Sequence, residues 1–185
     1  MEDQESVAQL ASSKRILILG SSGSGKTTLA LELGRILNIE VVHLDAYFWQ
    51  PGWRSTCQEK WREEVLELVS KPAWIMDGTY ESTLHLRIPA ADAVVVLERP
   101  RLGCLWRVFK RKLTIDDANR PDAPAGQPVD WPFIRYIWQY PHITRPLVND
   151  LIHKHGRGNE PIVLKRARDV ARLVQRLDQN LRPEE

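Results

Sequence analysis

The sequence predicts an α/β fold: a five-stranded parallel sheet with helices on both faces, a three-layer sandwich. Two observations lead there. Short apolar runs alternate along the chain with stretches of helical period. The first run, KRILIL at residues 14–19, is apolar at successive positions from Ile16 to Leu19, as a strand buried on both faces of a parallel sheet requires. With 185 residues, 43% hydrophobic and 27% charged, the chain suits one compact domain and no second large one. Residues 1–13 are expected to be a frayed polar tail, residues 14–181 the single domain, and residues 182–185 a second tail.

The elements follow in order. After the first strand comes a glycine-rich turn, and Leu29, Ala30, Leu33, Ile36 and Leu37 then fall at helical spacing. A second strand is expected at residues 40–44, ending at Asp45, with a turn at residues 50–53 where Pro51 and Gly52 interrupt. Thr56 and Glu59 have capping-box spacing at the head of a helix reaching about Ser70. Residues 73–76 make a third strand ending at Asp77 and Gly78, residues 93–97 a fourth, and a basic helix follows over residues 101–113. From Ile115 to Pro132 the chain is crowded with Pro, Asp and Ala without an apolar period, which marks a lid at about residues 115–131. Helical patterning resumes over residues 131–153, bent near Pro141 and Pro146. Residues 161–164 supply the fifth strand, and residues 167–181 a last helix with Val170, Leu173, Val174 and Leu177 on one face.

Composition excludes several classes of function. Lys and Arg number 26 against 24 Asp and Glu, a net charge of +2, too even for general capture of a polyanion. Cys57 and Cys104 lack metal-spaced partners, so neither a disulfide framework nor a structural zinc site is indicated. No apolar run approaches the roughly 20 residues of a membrane span, and the acidic, polar start is unlike a secretion signal. A cytoplasmic protein is the expectation.

The strongest signal is Gly20, Ser21, Ser22, Gly23, Ser24, Gly25, Lys26, Thr27, a full match to GxxxxGK[ST] between a strand and a helix. A helix amino terminus carries about half a positive charge and several unpaired amides, so a glycine-rich loop wrapped there offers donors to a polyphosphate. Lys26 places an ammonium on the outer phosphates, the Thr27 hydroxyl is a ligand for magnesium, and Thr28 continues the wall. The fold expected is thus that of a P-loop nucleotide-binding domain. Asp77, an acid at the carboxyl end of a buried strand, is a second candidate for magnesium through water, or a turn former before Gly78.

With these residues in place, the chain resembles the adenylate-kinase-like branch of P-loop proteins, and more closely the DNA topology modulation proteins. The closer likeness is carried by HLDAYFWQPGW from His43, WIMDGTY from Trp74, and RVFKRKL from Arg107 with the later NRPD. The resemblance implies a five-stranded parallel sheet, a helical segment on the substrate side, a short lid and a small phosphotransferase using ATP and Mg. It makes Asp77 and Gly78 the Asp-Gly after the third strand. It makes Arg107 and Arg111 the arginine pair that opens the lid, one on the donor base and one on phosphate, and their spacing puts both on one helix face. Arg120 and Arg145 would close over the transferring group. For Lys110 and Lys112 a solvated basic face is an equal reading.

On the acceptor side the sequence departs from adenylate kinase. Where nucleoside monophosphate kinases set an arginine after the second strand, this chain reads His43, Leu44, Asp45, Ala46, Tyr47, Phe48, Trp49. An Asp followed by aromatics is similar to kinases that phosphorylate a hydroxyl, where the carboxylate orients the alcohol and takes its proton, so Asp45 is the candidate orienting residue. Arg54 and Arg87 remain available for an acceptor phosphate. His43, Trp53, Tyr80 and Gly78 complete the expected acceptor wall, with Trp49 and Tyr47 nearby. Trp61, Trp106 and Trp138, on helices, are expected in the core. The remaining histidines lack metal spacing.

The function expected is therefore an ATP-dependent kinase for a nucleotide, nucleoside or small hydroxylated metabolite. The alternative is a nucleotide-dependent regulatory ATPase affecting DNA topology or gene expression. Direct nucleic-acid contact has only the basic stretch at residues 99–112 in its favour. A third reading, a bare core ATPase, needs an arginine from a partner. The acceptor's identity and the oligomeric state stay open.

Overall fold

Because every position from Ile16 to Leu19 is apolar, the first strand, β1 (Arg15–Gly20), has no side suited to water, and both are buried. Ile16 and Ile18 enter one core and Leu17 and Leu19 the other, the period-two alternation of a pleated strand between two helical layers. The computed structural model of the chain describes residues 2–114, 123–124, 126–158 and 160–181.

One face of the sheet is covered by α1 (Glu2–Ser12), α2 (Lys26–Leu37) and α9 (Ala167–Leu181). The second strand, β2 (Val41–His43), runs directly into a short helix, α3 (Leu44–Phe48). The two-residue strands β3 (Trp49–Gln50) and β4 (Arg54–Ser55) then pair as an antiparallel hairpin. The other face is covered by α4 (Gln58–Ser70), α5 (Leu84–Arg87) and α8 (Thr144–His155). Between these come β5 (Trp74–Asp77), β6 (Ala93–Leu97) and β7 (Ile162–Leu164), which complete a parallel sheet in the order β2-β5-β1-β6-β7. The order turns back at β1, which places a crevice at the carboxyl ends of the central strands. In register, His43 stands beside Asp77 and Gly20 beside Leu97, so the residues that end the strands share one rim.

Next to that rim, α6 (Arg101–Thr114) packs on α7 (Trp131–Gln139) through Cys104, Val108 and Ile137. The Asp130 side chain caps α7, accepting from the Phe133 amide at 3.0 Å, and Pro132 sits in its first turn, where no helix hydrogen bond is lost. Among the described residues, no helix is long and apolar enough to cross a membrane.

Several expectations are corrected. The frayed tail is instead helical over α1, because Val7, Leu10 and Ala11 share a face that packs into the core with α2 and α9. Thr56 does not cap α4. It is buried, and its hydroxyl donates to the Phe48 carbonyl at 2.8 Å, leaving Cys57 at the cap position without a side-chain bond. Asp45 lies inside α3 and not at a strand end. The bent helix over residues 131–153 is two helices, parted around Pro141, while Pro146 falls in the first turn of α8. Trp61 is core as expected, but Trp106 and Trp138 are exposed, the latter with the Arg101 guanidinium 3.8 Å from its ring centre. Of the expected lid, residues 115–122 and 125 lie outside the described residues, and residues 126–130 form no helix or strand.

Candidate active site

The loop after β1 needs its glycines. Gly23 has φ +74°, and a Cβ there would collide with the Cys104 carbonyl, so α6 rests directly on the loop. Gly25, at φ +100°, ends the loop in a left-handed conformation as the N-cap of α2 and brings no side-chain cap. The first amides of α2 therefore donate no hydrogen bond to a capping side chain at position 25. Among the described residues, the buried Ser21 and Ser24 hydroxyls have no hydrogen-bond partner. Lys26 reaches back across the loop, its Nζ donating to the carbonyls of Gly20 at 2.9 Å and Ser21 at 3.0 Å. Burial lowers the Lys26 pKa, against the opposing pull of Asp45 and Asp77.

A buried arginine shapes the opposite wall. Arg87 is fully buried, and its guanidinium donates to the carbonyls of Gly78 at 2.9 Å, Thr79, and Tyr80 at 2.8 Å, with the Thr83 hydroxyl at 3.3 Å. A planar fork of five donors suits such a cluster of acceptors. Burial lowers its pKa to about 9, which leaves it charged at neutral pH. The turn so held puts Tyr80 at φ +36°, and its hydroxyl donates to Asp45 Oδ1 at 2.5 Å. Burial, reinforced by Asp45, pushes the Tyr80 phenol well above its ordinary value, so it serves as a donor. Thr79 ties this turn to the loop, its hydroxyl donating to the Gly20 carbonyl at 3.0 Å.

Two cavities meet here. The smaller, about 170 Å³, lies over the loop, bounded by Gly23, Gly25, Thr27, Thr28, Arg107 and Arg111. The larger, about 420 Å³, is walled by Trp49, Trp53, Tyr80, Phe133 and Tyr136, with Gly78, Glu81 and Asp130. Ser22, Lys26, Asp45 and Gln127 line both. Arg107 Nε donates to the Gly23 carbonyl at 2.5 Å, and Arg111 donates to Gln127 Oε1 at 2.6 Å, so helical spacing does bring both arginines to the loop.

Other expected site residues lie elsewhere. His43 and Asp77 are buried against each other, His43 Nδ1 being 2.9 Å from Asp77 Oδ1, and neither lines the two cavities. Arg87 serves the 78–80 turn and has no surface left for an acceptor phosphate. Arg145 is 3.6 Å from Glu98 and lines a third cavity, with Ser21, Arg99, Tyr140 and Arg166, and neither of the two that meet at Asp45. Tyr47 is exposed and outside both cavities. Arg120 lies outside the described residues. Sequence reasoning missed Glu81, Gln127, Asp130, Phe133 and Tyr136. The only signal for the last three was the Asp130-Trp131-Pro132 helix start.

No family model and no curated protein matches the chain. Among solved structures it is similar to a shikimate kinase from Acinetobacter baumannii in complex with shikimate, with a TM-score of 0.58 and 17% identity over 94% of this chain and 96% of that one. A shikimate kinase from Bacteroides thetaiotaomicron gives 0.55 and 17% identity over 92% and 99%. At such identities the likeness is one of fold. The chain has the α/β fold of P-loop kinase structures, a five-stranded parallel sheet flanked by helices.

Proposed function

We propose that the chain is an ATP-dependent, magnesium-requiring phosphotransferase whose acceptor is a hydroxyl group of a small molecule. The observation that carries this reading is Asp45, which with Lys26 stands where the two cavities join, facing a phosphate cradle on one side and an aromatic-walled space on the other. The cradle fits a polyphosphate on its own chemistry: an uncapped helix start, unpartnered serine hydroxyls and a lysine bridging the loop. Thr27, in the cavity wall, would be an oxygen donor for magnesium, while Asp77, buried against His43 outside both cavities, could serve it only through water. When bound, ATP supplies the phosphoryl group and the metal neutralises its charge.

The chain's own residues then have distinct work. Asp45 orients the acceptor hydroxyl and takes its proton as the new oxygen–phosphorus bond forms and the bond to the leaving diphosphate breaks. Tyr80, donating to the same carboxylate, fixes its orientation. Lys26, Arg107 and Arg111 stabilise the charge that spreads over the phosphates. Arg87 acts through the 78–80 turn as a positioning residue. The closer kinship to DNA topology modulation proteins rests on the sequence stretches alone. Among the described residues, nothing favours a regulatory ATPase acting on DNA.

The test is ADP release across a panel of candidate acceptors, with a no-acceptor control for idle hydrolysis. Acceptor-stimulated release is expected to fall at least about a hundredfold in Asp45→Asn, the scale of a lost general base, and to vanish in Lys26→Ala. Stimulation kept at the wild-type rate in Asp45→Asn would remove the carboxylate from the mechanism.

A further inference from the structure

The walls of the larger cavity carry a charge pattern that narrows the acceptor's chemistry. Three carboxylates line it, Asp45, Glu81 and Asp130, against one cation, Lys26, whose ammonium is turned to the loop carbonyls on the donor side. Glu81 is half-buried, and its carboxylate makes no hydrogen bond or close ion pair among the described residues, the buried Arg87 charge acting on it from behind the turn. A carboxylate so placed gains from a cationic partner more than one in open water does. No guanidinium among the described residues lines this cavity. Arg87 is spent on main-chain carbonyls, Arg145 faces Glu98, Arg107 and Arg111 line the cradle, and Arg54 is exposed on the hairpin.

The rest of the wall is aromatic: Trp49, Trp53, Tyr80, Phe133 and Tyr136. The faces of such rings attract cations, and several of them around one space form the cage that holds amines and quaternary ammonium groups. An anionic acceptor would meet three carboxylates here, and the donor phosphates beyond them; among the described residues no arginine lines the cavity, the Arg87 charge that interacts with Glu81 being fully buried under the 78–80 turn.

We propose that the acceptor is a hydroxylated organic cation, an amine or quaternary ammonium compound, and that the cavity rejects carboxylate and phosphate-monoester acceptors. This rests on the reading of the site as a phosphotransferase centre. Glu81 is the specificity-determining residue. It lies at the edge of the turn that Arg87 holds, so its charge is fixed relative to Asp45 and the ring walls.

The experiment compares three benzyl alcohols of one skeleton: meta-aminomethyl benzyl alcohol (cation), meta-methyl benzyl alcohol (neutral) and meta-hydroxymethyl benzoate (anion). Each is titrated by ligand-observed NMR into the full chain saturated with magnesium and a non-hydrolysable ATP analogue, so the readout does not need turnover. The cation is expected to bind at least about tenfold tighter than the neutral compound, the scale of a desolvated cation–π contact, and the anion weakest. In Glu81→Gln, shown folded by thermal melting, the preference of cation over neutral should shrink while the neutral compound binds as before. Equal binding of cation and neutral, binding of the anion as tight as the cation, or binding of none at millimolar concentration overturns the proposal. If the ATP analogue itself fails to bind, the phosphotransferase reading falls and this one with it. Nucleotide binding with an inverted charge order sinks the acceptor class alone.

Discussion

Replacing Arg87 by Met removes the donor that three successive carbonyls share, while keeping a side chain of similar length in a fully buried position. Each buried carbonyl left without a partner costs about 1–3 kcal/mol. For three this is about 3–9 kcal/mol, offset in part because the variant no longer buries a guanidinium, and the net expected for breaking such a buried charged cluster is about 3–5 kcal/mol. At about 2–4 °C per kcal/mol for a chain of this size, the melting temperature should fall by about 6–20 °C. Differential scanning calorimetry measures it, with urea titration as an independent estimate of the free energy. Because the same turn carries Tyr80 to Asp45, the variant held below its lowered melting point should also show weaker acceptor stimulation. A melting temperature within about 2 °C of wild type, equivalent to 1 kcal/mol or less, would refute the clamp, since the carbonyls would then have other partners.

Two further perturbations test other parts of the fold. Leu10→Ala, at a fully buried position of α1, should cost about 2–5 kcal/mol by cavity formation, read by urea unfolding; a loss under about 0.5 kcal/mol, the scale of an ordinary surface substitution, would mean that α1 does not dock. Partial burial pushes the Asp92 carboxyl up, but the Arg15 side chain and the Arg15 and Lys14 amides outweigh it and hold it below the usual carboxylate value. A group depressed in this way stabilises the fold above its unfolded pKa, about 3.9, and that stability is lost as pH falls through the lower folded value. The melting-temperature advantage of wild type over Asp92→Asn should therefore be present at neutral pH and shrink below about pH 4, and an advantage unchanged in acid would contradict the pairing.

The sheet and the phosphate loop are legible in the sequence because their signals are local. A strand buried on both faces must be apolar at successive positions, and a loop that wraps anions must have glycine where φ is positive, as at Gly23 and Gly25. Arg107 and Arg111 were legible for the same reason: four-residue spacing places them on one helical face whatever the rest of the chain does.

What was illegible depends on contacts between distant segments. The helix α1 has few apolar residues and gains its burial by packing on the distant α9 and joining the core on that face of the sheet. Arg87 reads as a free cation until the 78–80 turn folds over it. Arg145 reads as a catalytic arginine until Glu98 is found opposite. His43 looked like a substrate contact, and only the β2–β5 register shows that it faces Asp77. Trp106 and Trp138 stay outside because α6 and α7 meet through a small cluster centred on Cys104, Val108 and Ile137, leaving bulky neighbours uncovered.

The most direct measurement of the central claim is isothermal titration of ATP, with excess magnesium, into the folded wild-type chain and Lys26→Ala. Saturable one-site binding is expected in the wild type, lost or weakened at least about tenfold in the variant, as befits removal of a charged contact worth about 1.5–3 kcal/mol. No heat of binding in the wild type, or equal affinity in both, would contradict the assignment of the loop as a phosphate cradle.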